Sequence, residues 1–110
     1  MRHGEIWFAN LSPSRRSEQA GQRPVVIVSG NLLNENLTIV IAIPLTTRIK
    51  RYKGNPVLGP SKINGLKSES EMLVFHMRSI AKHRLLKRIG AVEPDELTAC
   101  HKTLNDILRY

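Results

Sequence analysis

Apolar positions along this chain come in short runs rich in β-branched residues, separated by polar stretches. Glu5 to Leu11 alternates weakly around Ile6, Trp7 and Phe8 and stops at Ser12-Pro13-Ser14, which predicts a strand and then a polar loop over Pro13 to Gln22. Pro24 to Ser29 is apolar at successive positions, as in a strand covered on both faces. Gly30-Asn31 and Asn34-Glu35-Asn36 read as turns. Leu37 to Leu45 is a third apolar strand, and Pro44 near its finish argues for a strand end or a sheet edge. Asn55 to Leu58 predicts a short strand, Gly59 to Leu66 a turn-rich connection, Glu71 to Met77 a further strand and Ile89 to Val92 a last short one. Between these, the basic stretch Arg78 to Lys87 reads as holding a short helical turn.

The pattern changes period at the end. Pro94 opens a segment with Asp95 and Glu96 in its first turn, which suits the positive end of a helix dipole. Leu97, Cys100, Leu104, Ile107 and Leu108 then recur at helical spacing. Several short strands and one terminal helix predict a mainly β fold, a small barrel rather than a doubly wound sheet. With 110 residues and no repeat or linker, residues 1–110 read as one domain.

Charge narrows the partners. Lys and Arg outnumber Asp and Glu 17 to 9, a formal net charge of +8, so polyanions are attracted over long range. No run of about 18 apolar residues exists, which excludes a membrane-spanning helix. Met1-Arg2-His3-Gly4 leads directly into a strand without the apolar core of a signal peptide. Cys100 is the single cysteine, so no internal disulfide forms and a cytoplasmic location is expected.

The residues with chemistry cluster where strands meet loops. Ser17-Glu18-Gln19-Ala20-Gly21-Gln22-Arg23-Pro24 delivers a guanidinium, stiffened by Pro24, to the mouth of an apolar strand. Arg23 there can grip a phosphate through two parallel hydrogen bonds and stabilise charge developing on it. Equally, it can pair with Glu18 and pin the loop. Glu18 is a candidate proton acceptor, although a loop carboxylate is more often solvated or ion-paired. Thr46 and Thr47 are placed to bind a phosphate oxygen or, as strand-end threonines commonly do, to satisfy turn backbone. Arg48, Lys50, Arg51 and Lys53 make a cationic loop with Tyr52 interleaved, a pattern for backbone-phosphate contact with one stacked base. Arg78, Lys82, Arg84, Lys87 and Arg88 form a second basic segment.

The four histidines (His3, His76, His83 and His101) are scattered, and none pairs with Cys or a carboxylate at zinc spacing. No phosphate-binding glycine loop is present. No metal and no cofactor are therefore expected, and a nuclease built from these residues would have to work without a metal. Metal-free cleavage points to RNA, whose 2′-hydroxyl can attack the adjacent phosphate, whereas DNA lacks that internal nucleophile.

These motifs follow one another as in a known family. Gly4-Glu5-Ile6-Trp7, Leu11-Ser12-Pro13, Ser17-Glu18-Gln19-Ala20-Gly21, Arg23-Pro24-Val25-Val26-Ile27-Val28-Ser29 and Ile43-Pro44-Leu45-Thr46-Thr47 closely resemble the MazF/PemK endoribonuclease toxins, as do Met77-Arg78-Ser79-Ile80 and Arg84-Leu85 further on. The resemblance implies an SH3-like small barrel of the CcdB/PemK type with a C-terminal α-helix. It implies a toxin of a type II toxin–antitoxin system that cuts single-stranded messenger RNA at short motifs without a metal, leaving a cyclic phosphate and a 5′-hydroxyl. The family's catalytic pair falls on Arg23 and Thr46, with Glu18 implicated in some members. RNA contacts are expected from Arg16, Gln19, Thr47, Arg48, Lys50, Arg51, Lys53 and Arg78. The same resemblance implies a homodimer with an RNA groove, an antitoxin that lays an acidic segment across it, DNA contact only through that antitoxin, and a bacterial cytoplasm. A gyrase-inhibiting toxin of the CcdB kind is the alternative on this fold, although such a binder has no need of Arg23 with Thr46. Two positions depart from the family pattern: Arg16 stands where glycine is usual and Asn10 where aspartate is frequent.

Overall fold

One strand, β3 (Ile39–Thr46), organises the rest because it has three partners. The computed structural model describes residues 1–11 and 21–109. The expected loop from Pro13 onward, with Arg16, Glu18 and Gln19, lies outside the described residues except at its end. In chain order the other strands are β1 (Glu5–Asn10), β2 (Gln22–Ile27), β4 (Val57–Leu58), β5 (Ser70–Met72), β6 (Arg78–Ala81) and β7 (Leu85–Ala91). Two helices, α1 (Asn31–Asn36) and α2 (Pro94–Arg109), complete the described elements, together with single 3-10 turns at Val74–His76 and Lys82–Arg84. All pairings are antiparallel, in the order β4-β5-β3-β2-β1-β7 with β6 also on β3. Bulges in β7 at Ile89, opposite Ile6 and Trp7, and at Leu86, opposite Phe8 and Ala9, bend that strand against β1, adding the local twist that curls the sheet. This is the mainly β small barrel with a C-terminal helix that the sequence predicts. No helix among the described residues is long and apolar enough to cross a membrane.

The unbroken apolar runs of β2 and β3 have a direct cause: both faces are covered. Val26, Ile43 and Leu45 point into one core with Ile6, Met72 and Val74, and α2 closes it with Cys100, Leu97 and Leu104. Val25, Ile27, Val40 and Ala42 point into a second core with Ala9, Leu11 and Ile80. Burial pushes the Cys100 thiol up to about 11, so this cysteine packs as a small hydrophobe and does not act as a nucleophile.

Local expectations fail where partners decide. Pro44 is neither at an edge nor at the strand's end. Its missing N–H falls in the gap where β3 changes neighbours, from β6 (as far as Ala42↔Arg78) to β5 (from Leu45↔Met72). That change also breaks the strand expected over Glu71 to Met77. It stops at Met72 and turns through Val74–His76, so that β6 can pair with the first half of β3. The turn material at Asn31–Asn36 is a short helix, held because buried Asn34 exchanges hydrogen bonds with the Ser29 hydroxyl and carbonyl. The basic stretch from Arg78 does hold a turn, at Lys82–Arg84, but β6 precedes it and β7 starts at Leu85. As an edge strand, β7 carries exposed Leu86, Lys87 and Arg88, which hides its period. Most of this second basic segment is tied into the fold. Lys82 donates to the Asn34 carbonyl, Arg84 donates to Asn10 O at 3.4 Å, and Arg88 pairs with Glu5 at 3.0 Å.

The turn over residues 63–65 lies directly on β7, with Ala91 N donating to Ile63 O at 3.0 Å. A Cβ at Gly90 would stand 2.3 Å from that carbonyl and 2.5 Å from the carbonyl carbon and oxygen of Asn64. Both obstacles are backbone. Gly90→Ala is therefore expected to destabilise the protein by about 3 kcal/mol, the upper range for overpacking. Urea unfolding checks this, and a loss below about 1 kcal/mol would mean that the turn yields freely.

Candidate active site

The β2–β3 register builds the site. Pairing reaches Val25↔Pro44, and carrying the same register two residues further sets Arg23 against Thr46. Arg23 Nη1 is 3.5 Å from the Leu45 carbonyl oxygen. Around the pair is an open cleft of about 340 Å³, lined also by Pro24, Thr47 and Arg48. Residues from two strands thus present a half-buried guanidinium and a nearly buried hydroxyl to one solvent-filled depression. Thr46 Oγ1 accepts the Arg48 N–H at 3.1 Å, so it does satisfy turn backbone. Its own proton is left to donate to a further acceptor, such as a phosphate oxygen. Among the described residues no three side chains of His, Cys, Asp or Glu converge.

The basic loop is shaped by a residue that sequence reasoning missed. Glu71, paired with Thr46 across β3 and β5, is fully buried. Its Oε1 accepts the backbone N–H groups of Lys50 and Arg51, both at 2.8 Å. Oε2 accepts Tyr52 N–H and Asn55 Nδ2, both at 3.0 Å. Arg51 takes φ 56°, so successive N–H groups converge into a nest for an anion, here the protein's own carboxylate. Burial pushes Glu71 up, but the bonds from Asn55, Lys50, Arg51 and Tyr52 outweigh it and hold the carboxyl below its ordinary range. The second acid of Glu69-Ser70-Glu71, leading into Met72-Leu73-Val74, was the available signal. Nothing in the sequence says where its donors come from.

With its backbone clasped inward, the loop turns its side chains out. Lys50 and Arg51 are exposed, and Arg51 sits 3.6 Å from the exposed Glu69 carboxylate. A shallow recess of about 120 Å³ shares Thr46 and Arg48 with the cleft and is walled by Tyr52, Phe75 and His76. The half-exposed rings of Tyr52 and Phe75 meet edge-on at 5.4 Å. Phe75 and His76 were also missed, because the segment reads as a buried strand. Of the expected RNA contacts, Thr47 and Arg48 line the cleft and Lys50 lines the recess. Lys53 lies instead beside α2, with Lys102 and Asp106, and Arg78 starts β6 opposite Ala42. The structure brings neither of them into the cleft.

Comparison with known proteins agrees with this architecture. The family described as PemK-like, MazF-like toxin of type II toxin-antitoxin system matches residues 2–108. The chain is 36% identical over 109 residues to Endoribonuclease MazF9 of Mycobacterium tuberculosis, covering 94% of this chain and 92% of that protein. A crystal structure of MazF from Deinococcus radiodurans superposes with a TM-score of 0.84 at 25% identity, covering 100% of this chain and 97% of that one. An endoribonuclease in complex with its cognate antitoxin, from a mycobacterial species, shares the fold at TM-score 0.75 and 23% identity, over 98% of this chain and 92% of its own. With the match spanning nearly every residue and the paired Arg23 and Thr46 at the mouth of the barrel, the chain belongs to the PemK-like, MazF-like toxins of type II toxin–antitoxin systems, the endoribonuclease family that its motifs resemble.

Proposed function

We propose that this toxin cuts single-stranded RNA, messenger RNA above all, at the Arg23–Thr46 cleft and without a metal ion. The observation that carries the reading is the convergence of Arg23, Thr46, Thr47 and Arg48 on one open depression. In the step proposed, the 2′-oxygen bonds to the adjacent phosphorus and the bond from phosphorus to the 5′-oxygen breaks. The 2′-hydroxyl proton passes to a base, for which Glu18 is the candidate, and a proton reaches the leaving 5′-oxygen. The products are a cyclic phosphate and a 5′-hydroxyl. Arg23 neutralises charge building on the non-bridging oxygens. Thr46 donates its hydroxyl to one of them while the Arg48 N–H fixes its rotamer. The CcdB-like reading is not favoured, since a gyrase binder does not need this pair.

Residues 1–110 act as one toxin domain in this reading, in the cytoplasm and as a homodimer. A cognate antitoxin would lay an acidic segment over the RNA-binding surface, and the net charge of +8 supports that competition between two anions. Incubating purified protein with long single-stranded RNA in excess EDTA tests the reading. Discrete cuts with 5′-hydroxyl ends are expected. Several unrelated transcripts left whole would overturn it.

The exposed cations of the basic loop should hold RNA rather than cut it. Lys50→Ala or Arg51→Ala is expected to weaken binding and to lower the slope of log K against log salt by about one released ion. Binding titrations between low and moderate salt measure this, and an unchanged slope would assign the loop to solvated surface.

A further inference from the structure

Beyond the cleft lies a larger depression, about 440 Å³, which shares Pro24 and Thr47 with it. Its lining is mainly apolar, from Phe8, Leu66 and Ile89, with exposed Lys67 and Lys87 contributing the charge. The sheet assembles it. Phe8 of β1 pairs with Pro24 of β2 on one side and with Lys87 of β7 on the other, so the three lie in one row. The opposite wall is the 61–66 turn, held by a buried asparagine. Asn64 Oδ1 accepts the N–H groups of Ser61 at 3.0 Å and Leu66 at 2.9 Å, and its Nδ2 donates to Gly59 O at 2.8 Å. The depression is thus preformed, mainly apolar with two lysines on it, and continuous with the place where a phosphate is to be held.

We propose that this depression is a nucleobase subsite, taking the base of a nucleotide next to the scissile phosphate and so contributing to the choice of sequence cut. The proposal rests on the ribonuclease reading of the adjoining cleft. Because the depression and the cleft share Pro24 and Thr47, a strand whose phosphate sits between Arg23 and Thr46 can carry a neighbouring base across Thr47 to the surface that includes Phe8. Stacking on an aromatic ring suits any base, and the apolar walls and fixed turn add shape selection. Lys67 and Lys87 are placed for the phosphates on either side of that base.

Binding of uncleavable oligonucleotides tests the subsite separately from catalysis. The probes are 2′-fluoro hexamers of A, C and U, which lack the attacking hydroxyl. One position at a time is made abasic in the tightest binder. For the wild-type protein, removing the base at one position is expected to weaken binding roughly tenfold, within the range for a stacked base. In Phe8→Ala that penalty should vanish, and in Phe8→Tyr it should return, the signature of two groups that touch. Equal penalties at every position in wild type and Phe8→Ala would overturn the subsite. Should Phe8→Ala fail to fold, Lys87→Ala on the exposed edge strand serves: its salt slope should drop by about one ion, and an unchanged slope overturns the proposal. Failure of the ribonuclease reading would appear elsewhere, as natural RNA left intact in EDTA.

Discussion

Arg23→Ala is expected to slow RNA cleavage by roughly a hundredfold or more, the scale of losing one preorganised donor to a developing anion. The loss should fall on the rate of the bound complex. In the proposed site, ground-state binding also draws on Arg48, Lys50 and Arg51, so affinity should drop by no more than one phosphate contact. Single-turnover cleavage, with protein in excess, separates the two. Arg23→Lys is the informative companion. It keeps the charge but loses the planar fork, so a rate between those of alanine and wild type is expected if paired hydrogen bonds matter. The position suits such a test, because Arg23 lies at the strand's open end and is half-buried, with its Nη1 3.5 Å from Leu45 O. Near-wild-type cleavage by a folded Arg23→Ala protein would remove Arg23 from the site while leaving the family assignment untouched.

Glu71→Ala is expected to cost the protein both stability and RNA affinity. It removes the acceptor of four hydrogen bonds, three of them from the backbone of the loop that carries Lys50 and Arg51. Hydrogen bonds to a charged group are worth about 1.5–3 kcal/mol each. The released N–H groups can reach water once the loop opens, so a net loss of about 3 kcal/mol is expected. RNA affinity should fall in parallel, because the cations lose their fixed positions. The pH dependence has a defined sign. The Glu71 carboxyl is lowered in the folded state relative to its ordinary 4.5. Its stabilisation is therefore complete above that unfolded value and disappears as pH falls through the lower, folded one. Glu5 is shifted the same way: burial raises it, but the bonds from Trp7 and the Arg2 N–H and the charges of Arg88 and the N-terminus lower it further. Acid sensitivity of the wild type alone thus cannot isolate Glu71. Comparison with Glu71→Gln does, since glutamine keeps the shape but does not titrate. The stability difference between the two proteins in urea should be largest at neutral pH and shrink toward pH 3. A constant difference would mean that the charge contributes nothing.

Neither Glu71 nor Phe8 stands out in the sequence, and the reason is common to both. Phe8 reads as one more apolar residue of an alternating strand. What gives it a surface role is the line it forms with Pro24 and Lys87, residues from two other strands. Glu71 reads as a polar interruption until β5 carries it beside Thr46 and under the loop. Lys53 shows the converse. It belongs to the same basic run as Lys50 and Arg51, yet the loop's curvature, imposed by Glu71, leaves it beside α2.

What the sequence by itself determined is local or carried by motif. The apolar runs of β2 and β3, the helical period from Pro94, the excess of positive charge and the succession of motifs around Arg23 and Thr46 sufficed for the fold class and the family. Each depends on residues near one another in the chain, where period and turn chemistry act directly. The tertiary structure alone decided that Arg23 faces Thr46 across one register, that Pro44 occupies a gap between two partners, and that a carboxylate from β5 clasps the basic loop. Those relations depend on which strands pair and in what alignment. A shift of one residue would turn every side chain of a strand to its other face. Register is set by the summed packing of both cores, and no single segment contains it.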